Sequence, residues 1–348
     1  MAMVSYFTKT PVDEAFYQAY LKDRLPRRIV DMHLHISDPA LIGRRLDAAE
    51  DWAAECCDAM PIEDYRQYAA AFYPDSELIL HALPPVSRGI DHAACNAYLA
   101  RLLREKKLDY ALMVVRPDWS AEFVERQLVE GGFLGFKPYP DLVSGKKGSD
   151  IAIFAYMAPH QLEVLNRHKG ILTLHIPRAG RLPDENNLRE LKELRDRYPD
   201  IHIIIAHVGR SYAVDTIERG LAGLGSYVND FTYDLAAVLN PAVLDRVFSL
   251  IDLDKIYYGT DLPVFLWHGK RRWTDTAYFN LAREHFSWNR HEEGPEAEAQ
   301  YTYFLYEQLK NILDALDRIG GDAALRERIF YGNARAVLDR ASALRRGE

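Results

Sequence analysis

What this 348-residue chain has little of narrows its class first. It has three cysteines, Cys56, Cys57 and Cys95, which form neither a CxxC pair nor a disulfide framework. They read as reduced thiols, which points to a cytoplasmic protein. No apolar run approaches the ~20 residues that a membrane span needs. The opening stretch MAMVSYFTKT lacks the charged head and long apolar segment of a secretory signal. Positive charge is not in excess either: 43 Lys and Arg face 51 Asp and Glu, a net charge of -8. A nucleic-acid footprint would need a basic stripe. No GxGxxG turn follows the first strand-like run, so the main signature of a dinucleotide-binding sheet is missing. No low-complexity tract or internal repeat is visible. These absences leave a small-molecule substrate as the expected partner, with no nucleic acid and no membrane.

What is present is the composition of a globular protein, 48% hydrophobic and 27% charged, enough to build a sizeable core. Strand-like apolar runs alternate with amphipathic stretches. The runs are Arg28–His33, Leu78–Leu83, Tyr110–Val115, Phe133–Lys137, Ile171–His175, Ile201–Ala206, Tyr227–Tyr233 and Lys255–Gly259. Their separations suit βαβ units, and such alternation implies a mainly parallel sheet. The segment Asn187–Tyr198, with Leu188, Leu191 and Leu194, reads as a crossover helix that stops at Pro199. Eight units in one chain predict a (β/α)8 TIM barrel, a single domain over residues 1–348 with its core at about 28–338. Two connections are unusually long. Ile36–Asp75 follows the first strand and contains Trp52, Pro61 and Pro74. Leu262–Gln300 follows the eighth and contains Trp267, His268, Arg271, Arg272, Trp273, Trp288 and His291. Insertions of that length are often functional lids, and a solvated excursion is the alternative. Tyr301–Ile319 has helical spacing and ends at Gly320-Gly321.

The chemistry lies at the ends of these runs. The first ends in Asp31-Met-His33-Leu-His35, and others end in Leu-Thr-Leu-His175, Ile-Ile-Ile-Ala-His207 and Tyr-Tyr-Gly-Thr-Asp261. Side chains at i and i+2 of a strand point to the same side, so His33 and His35 can grip one ion. In a barrel the C-terminal strand ends converge on one mouth, which gathers His33, His35, His175, His207 and Asp261. Imidazole and carboxylate together suit one divalent ion, zinc first, with manganese, iron, cobalt or nickel as alternatives. Each histidine alone could be a satisfied core residue. Five such groups at matching strand ends argue for a site.

With these motifs the chain resembles the amidohydrolase superfamily. The closer likeness is to the amidohydrolase-related branch that holds aminocarboxymuconate-semialdehyde decarboxylase, resorcylate decarboxylases and pyrone-dicarboxylate lactonase. The resemblance runs from about Arg28 to Leu338 and includes Tyr331-Gly332-Asn333-Ala334 near the end. It implies that His33, His35 and His175 bind the metal and that Asp261 completes or serves the site. His207 is then the catalytic imidazole beside the metal. Lys137, in Gly-Phe-Lys-Pro-Tyr, ends the fourth run where binuclear members carry a carbamylated lysine. A second ion is expected only if Lys137 is carbamylated; as a free ammonium it could instead hold an anionic substrate.

Arg116, Arg178 and Arg210 follow the third, fifth and sixth runs, and guanidinium is the usual fork for a carboxylate. With Lys137 they are the candidate substrate-binding residues, although each arginine could equally pair with a neighbouring acid. Tyr139, Trp267 and His268 are candidate wall residues, and Asp234 could orient a ligand or cap a helix. His202 falls on the opposite face from His207, His160 and His168 read as surface residues, and His81 reads as packing. Two reactions fit this pattern. One is metal-dependent hydrolysis of a lactone or amide-like bond in a small carboxylated molecule, with Asp261 and His207 moving protons. The other is nonoxidative decarboxylation of an aromatic or unsaturated acid. A noncatalytic barrel serving as a binding or scaffold protein is the reading from another class, and the complete donor set speaks against it. A homodimer is the expected assembly.

Overall fold

The apolar runs become parallel staves, each shorter than the run that marks it. The computed structural model describes residues 8–44, 55–57, 59–85, 89–143 and 150–346; Trp52 lies outside them. The first stave is β1 (Arg28–Val30), paired with β2 (Glu77–Ile79), which β3 (His81–Ala82) continues as the same stave. β3 pairs with β4 (Tyr110–Ala111), and a bridge from Met113 to Phe136 joins that stave to β5 (Gly135–Phe136). Then β5, β6 (Ile171–Leu174), β7 (His202–Ile205), β8 (Thr232–Asp234) and β9 (Ile256–Tyr257) pair in sequence order, all parallel. Closure comes from a parallel bridge between Leu34 and Leu262, with Met32 N–H donating to the Tyr258 carbonyl and Asp261 N–H to the His33 carbonyl. The ring is a (β/α)8 barrel.

A helix follows each stave. Glu185–Arg197 takes its start from Asp184, whose carboxylate accepts the N–H groups of Asn186 and Asn187, the usual role of an aspartate N-cap. Phe304–Arg318 ends before Gly320, which adopts φ 74°. Val30, Leu83, Leu112, Leu134, Ile171, Ile204 and Tyr257 come from seven different staves yet share one buried cluster, so they fill the barrel interior. Ala334, Val337, Leu338 and Ala341 of the final helix, Asn333–Arg346, join that cluster and close the end where the staves begin. Asn333 fixes this helix by donating to the carbonyls of Leu253 and Ile256.

Two expectations need correction. The seventh stave is not Tyr227–Tyr233: residues Gly225–Asp230 form a 3-10 turn and the strand is Thr232–Asp234. Asn229 and Asp230 favour turns over ladders, which outweighs the aromatic and β-branched residues before them. The long connections are also more structured than their composition suggests. Residues 36–75 contain the helix Ile62–Phe72, and 262–300 contain an antiparallel hairpin, β10 (Gly269–Trp273) with β11 (Tyr278–Ala282).

Candidate metal centre and active site

The mouth is built from backbone that few residues tolerate. After β7 the chain runs through His207, Val208, Gly209 and Arg210 at φ 54°, 48°, 68° and 61°, four consecutive left-handed residues. A β-branched residue there is a true outlier, and strain of this kind is concentrated at functional sites. Asp261 also sits at φ 65° and Ala237 at 58°. The left-handed turn lets the His207 N–H donate to Asp234 Oδ1 at 2.9 Å. Gly259 lies so close to the first stave that a Cβ on it would meet the His33 Cβ at 2.9 Å. Asp31 secures the same seam, accepting the N–H groups of His33 and Thr260 and the Thr260 hydroxyl. Burial pushes its carboxyl up to about 6, against the pull of those hydrogen bonds.

Three imidazoles have their Nδ1 protons claimed from behind. His33 Nδ1 faces Asp234 Oδ2 at 2.9 Å, His35 Nδ1 faces the Pro84 carbonyl at 2.8 Å and His207 Nδ1 faces the Ala236 carbonyl at 3.0 Å. A carbonyl can only accept, and an ionised carboxylate likewise, so in its neutral form each ring keeps the hydrogen on Nδ1 and presents a lone pair at Nε2. Those lone pairs turn to one place. His33, His207 and Asp261 each offer a donor atom within 4.8 Å of the others, and His35 Nε2 is 3.1 Å from Asp261 Oδ1. A carboxylate between imidazoles fixed by oxygen acceptors is the donor set of a divalent ion with its outer support in place. The side chains present therefore fit the ion.

Electrostatics agree with the geometry. Burial alone would raise Asp261, but His207, the His35 hydrogen bond and His33 outweigh it and hold the carboxyl below its ordinary range. Burial and then Lys137 drive His33 well down, and burial and then His207 do the same to His175, so both rings are neutral. Asp234, completely buried, is raised by that burial. Lys137 Nζ lies 3.1 Å from His33 Nε2, and burial brings its ammonium down to about 8.

The residues expected from sequence separate into two groups. His33, His35, His207, Asp261 and Lys137 meet at one centre. His175 stands on the same rim, its ring 5.5 Å from that of His207, half-buried and forming no hydrogen bond through its ring with any described residue. The arginines are mostly engaged elsewhere. Arg178 forms a paired contact with Glu190 at 2.7 Å, Arg116 pairs with Asp118 at 3.1 Å, and Arg210 Nη1 reaches the carbonyls of Ile176, Pro177 and Arg178. Tyr139 donates to the Pro84 carbonyl behind His35. His268 and Trp267 do not face the mouth: His268 lies between Asp13 and Glu284, and Trp267 packs against Phe286, Trp288 and Phe304. His202 binds Tyr257 and Thr232 at the opposite end, and His81 is fully buried.

Sequence reasoning left Asp234 open between two roles, and the structure gives it the orienting one. It gave Arg271 of β10 no role beyond its place in a long insertion; the structure buries its guanidinium among Tyr212, Tyr278, Phe265 and Phe304.

The amidohydrolase family model matches residues 30–340. This chain is an amidohydrolase-family protein. No curated protein matches it. Solved structures similar to this amidohydrolase share its fold. A probable 2-pyrone-4,6-dicarboxylic acid hydrolase from Acinetobacter baumannii has a TM-score of 0.54 at 12% identity, over 89% of this chain and 99% of that one. The 4-oxalomesaconate hydratase of Rhodopseudomonas palustris gives 0.53 at 14%, over 90% and 97%. A 2,6-dihydroxybenzoate decarboxylase, solved with 2,6-dihydroxybenzoate, gives 0.51 at 14%, over 91% and 99%. The family and these neighbours are enzymes, hydrolases and decarboxylases among them. Among the described residues no helix is long and apolar enough to cross a membrane.

Proposed function

We propose that this amidohydrolase is a metal-dependent hydrolase that opens a lactone or amide-like bond in a small, carboxylated molecule. The observation that carries the reading is the convergence of imidazole Nε2 lone pairs on Asp261, each ring held by an oxygen acceptor at its other nitrogen. The ligands are His33, His35, His175 and Asp261. His175 fits that part because its ring forms no hydrogen bond with any described residue that would have to break when it turns inward. One divalent ion, zinc for preference, would polarise the carbonyl and bring water to a pKa of about 7.

The remaining work falls to side chains. Asp261, ionised at neutral pH, takes the proton from the attacking water. His207, whose Nδ1 hydrogen is committed to Ala236, works through Nε2, which receives the water proton by way of Asp261 and donates it to the leaving oxygen or nitrogen as the bond to the carbonyl breaks. Lys137, when it remains an ammonium, places a positive charge beside the developing oxyanion. If Lys137 is carbamylated, the site takes a second ion.

The test combines elemental analysis of protein purified without chelator with a screen of carboxylated lactones and amides. One ion per chain and ring-opened or amide-cleaved product support the reading. Release of carbon dioxide from an aromatic or unsaturated acid, without water uptake, replaces it with decarboxylation. Metal-free protein that zinc and manganese fail to activate removes the metal mechanism.

A further inference from the structure

Among the described residues Arg271 is the one buried arginine, although Arg181 and Arg210 likewise form no ion pair with a described carboxylate. Its side chain is 5% exposed, and among the described residues no carboxylate pairs with it. Among the described residues two of its five N–H groups have acceptors, both neutral: Nε donates to Asn280 Oδ1 at 2.8 Å and Nη1 to the Ala237 carbonyl at 2.6 Å. Four aromatic rings surround the guanidinium, Tyr278 at 4.4 Å, Tyr212 at 5.1 Å, Phe304 at 5.2 Å and Phe265 at 5.5 Å. Ring faces offset part of the burial cost. They do not supply the oxygen acceptors that a planar fork of donors is shaped to meet; Asp261 favours the charge through space but makes no paired contact with it among the described residues.

The position of this cation ties it to the reacting centre. Tyr212 touches it on one side and lies 6.5 Å, ring to ring, from His207 on the other. The carbonyl that holds Arg271 belongs to Ala237, and the one that holds the His207 imidazole belongs to Ala236, so adjacent peptide groups set both side chains. A second guanidinium, Arg181, stands 5.5 Å from both Tyr212 and Tyr278 and lines a cavity of about 500 Å³ beside the hairpin. The next residue on the strand, Arg272, is exposed and paired with Glu292 at 2.6 Å. The hairpin thus presents one satisfied arginine outward and one unsatisfied arginine inward.

We propose that Arg271 is the receptor for a substrate carboxylate, so that the substrate carries a carboxylate apart from the bond that reacts, with Arg181 as a second cation at the rim. This rests on the reading of the His33 and Asp261 centre as the place of reaction. It moves the anion site from the strand-end arginines to the hairpin inserted after the eighth stave. Asn280 and Ala237 hold the fork in place, and the aromatic rings keep water from competing for it.

The experiment is calorimetric titration of the full-length, metal-replete protein with dicarboxylates, the linear series from malonate to adipate and the three benzenedicarboxylates, each beside its diamide. At least one acid binds, and its diamide binds at least about 10-fold more weakly. Arg271→Gln weakens that acid by at least about 10-fold, while Arg272→Gln leaves it unchanged. Arg271→Lys keeps a cation among the rings but loses the fork; it falls between the two and serves if the Gln variant does not fold. The proposal is overturned if the wild-type protein binds none of the acids. It also fails if acid and diamide bind alike, or if the folded variant binds as wild type does. Metal content and hydrolysis of neutral lactones or amides are measured separately. Their failure removes the reaction and leaves the carboxylate site standing.

Discussion

His35 Nε2 stands 3.1 Å from Asp261 Oδ1 while His35 Nδ1 is committed to the Pro84 carbonyl. In the neutral form of His35 two lone pairs meet at that distance, so a second proton on the ring or a cation must lie between them. At neutral pH a divalent ion satisfies both together with the other imidazoles. Zinc or manganese should therefore raise the melting temperature, and a chelator should lower it. An ion at 100 times its Kd adds about 2.7 kcal/mol to stability. Asp261→Ala should abolish the shift. One ion per chain is the expected stoichiometry, and two would identify Lys137 as a carbamate. An equal melting temperature with and without metal overturns the assignment.

Asp234 touches no part of the metal position, yet three groups depend on it: the His33 imidazole, the His207 N–H and the Ala236 N–H. Asp234→Asn puts an amide where the carboxylate received the His33 proton. The His33 tautomer is then free to reverse, which places a hydrogen on the atom that should ligate. Metal affinity should fall by about 10–100-fold, the usual effect of losing such a partner. Competition with a chromophoric chelator measures it. Unchanged affinity would mean that His33 is not oriented through Asp234.

Much of this was legible from the sequence because strand ends in a barrel have no choice of position. His33, His35, His207 and Asp261 each close an apolar run, and closure of the ring brings those ends together whatever the intervening sequence does. The crossover helix at Glu185–Arg197 and its stop before Pro199 were readable from leucine spacing for the same local reason. The outer support was less legible. Asp234 is the last residue of a stave whose start was displaced by the turn at Gly225–Asp230. The left-handed run His207–Arg210 has only Gly209 to announce it. The hairpin β10–β11 escaped because its inward residues include Arg271, a charged side chain whose burial depends on rings from distant parts of the chain.

His268 gives a pH dependence away from the metal. It lies between Asp13 Oδ2 at 3.0 Å and Glu284 Oε1 at 2.8 Å, with Arg283 at its Nδ1 edge, and so joins the helix Pro11–Tyr20, which precedes the barrel, to the base of the hairpin. Burial pulls the imidazole down, but the two carboxylates outweigh it and leave it above its ordinary value. A raised imidazole contributes stability fully below its unfolded value, near 6.5, and loses it as pH rises through the folded value. Asp13 behaves oppositely. Burial raises it, but His268 and Thr10 outweigh that and leave it depressed, so its contribution is lost only on acidification. Replacing His268 by Gln should therefore destabilise most at about pH 5.5 and less at about pH 9. Denaturant midpoints at the two values test this, and a difference that grows with pH would reverse the assignment.

The backbone at the mouth also decides which substitutions can test the chemistry. His207 and Asp261 sit at φ 54° and 65°, where asparagine is one of the better-tolerated residues and β-branched residues are not. His207→Asn and Asp261→Asn should both fold, with melting temperatures near the wild type in saturating metal. His207→Val should lose the turn and much of the stability. Turnover should separate the first pair from the fold. Asn at 207 keeps the N–H that donates to Asp234 but has no group that titrates near neutral pH, so kcat should fall by about 100-fold or more. Asn at 261 removes both the ligand oxygen and the proton acceptor, and should lose metal affinity as well as rate. The ordering is the test. If His207→Asn keeps its metal and loses its rate, His207 moves a proton; if it loses the metal first, His207 is a ligand and His175, whose ring forms no hydrogen bond with any described residue, takes the proton-moving part.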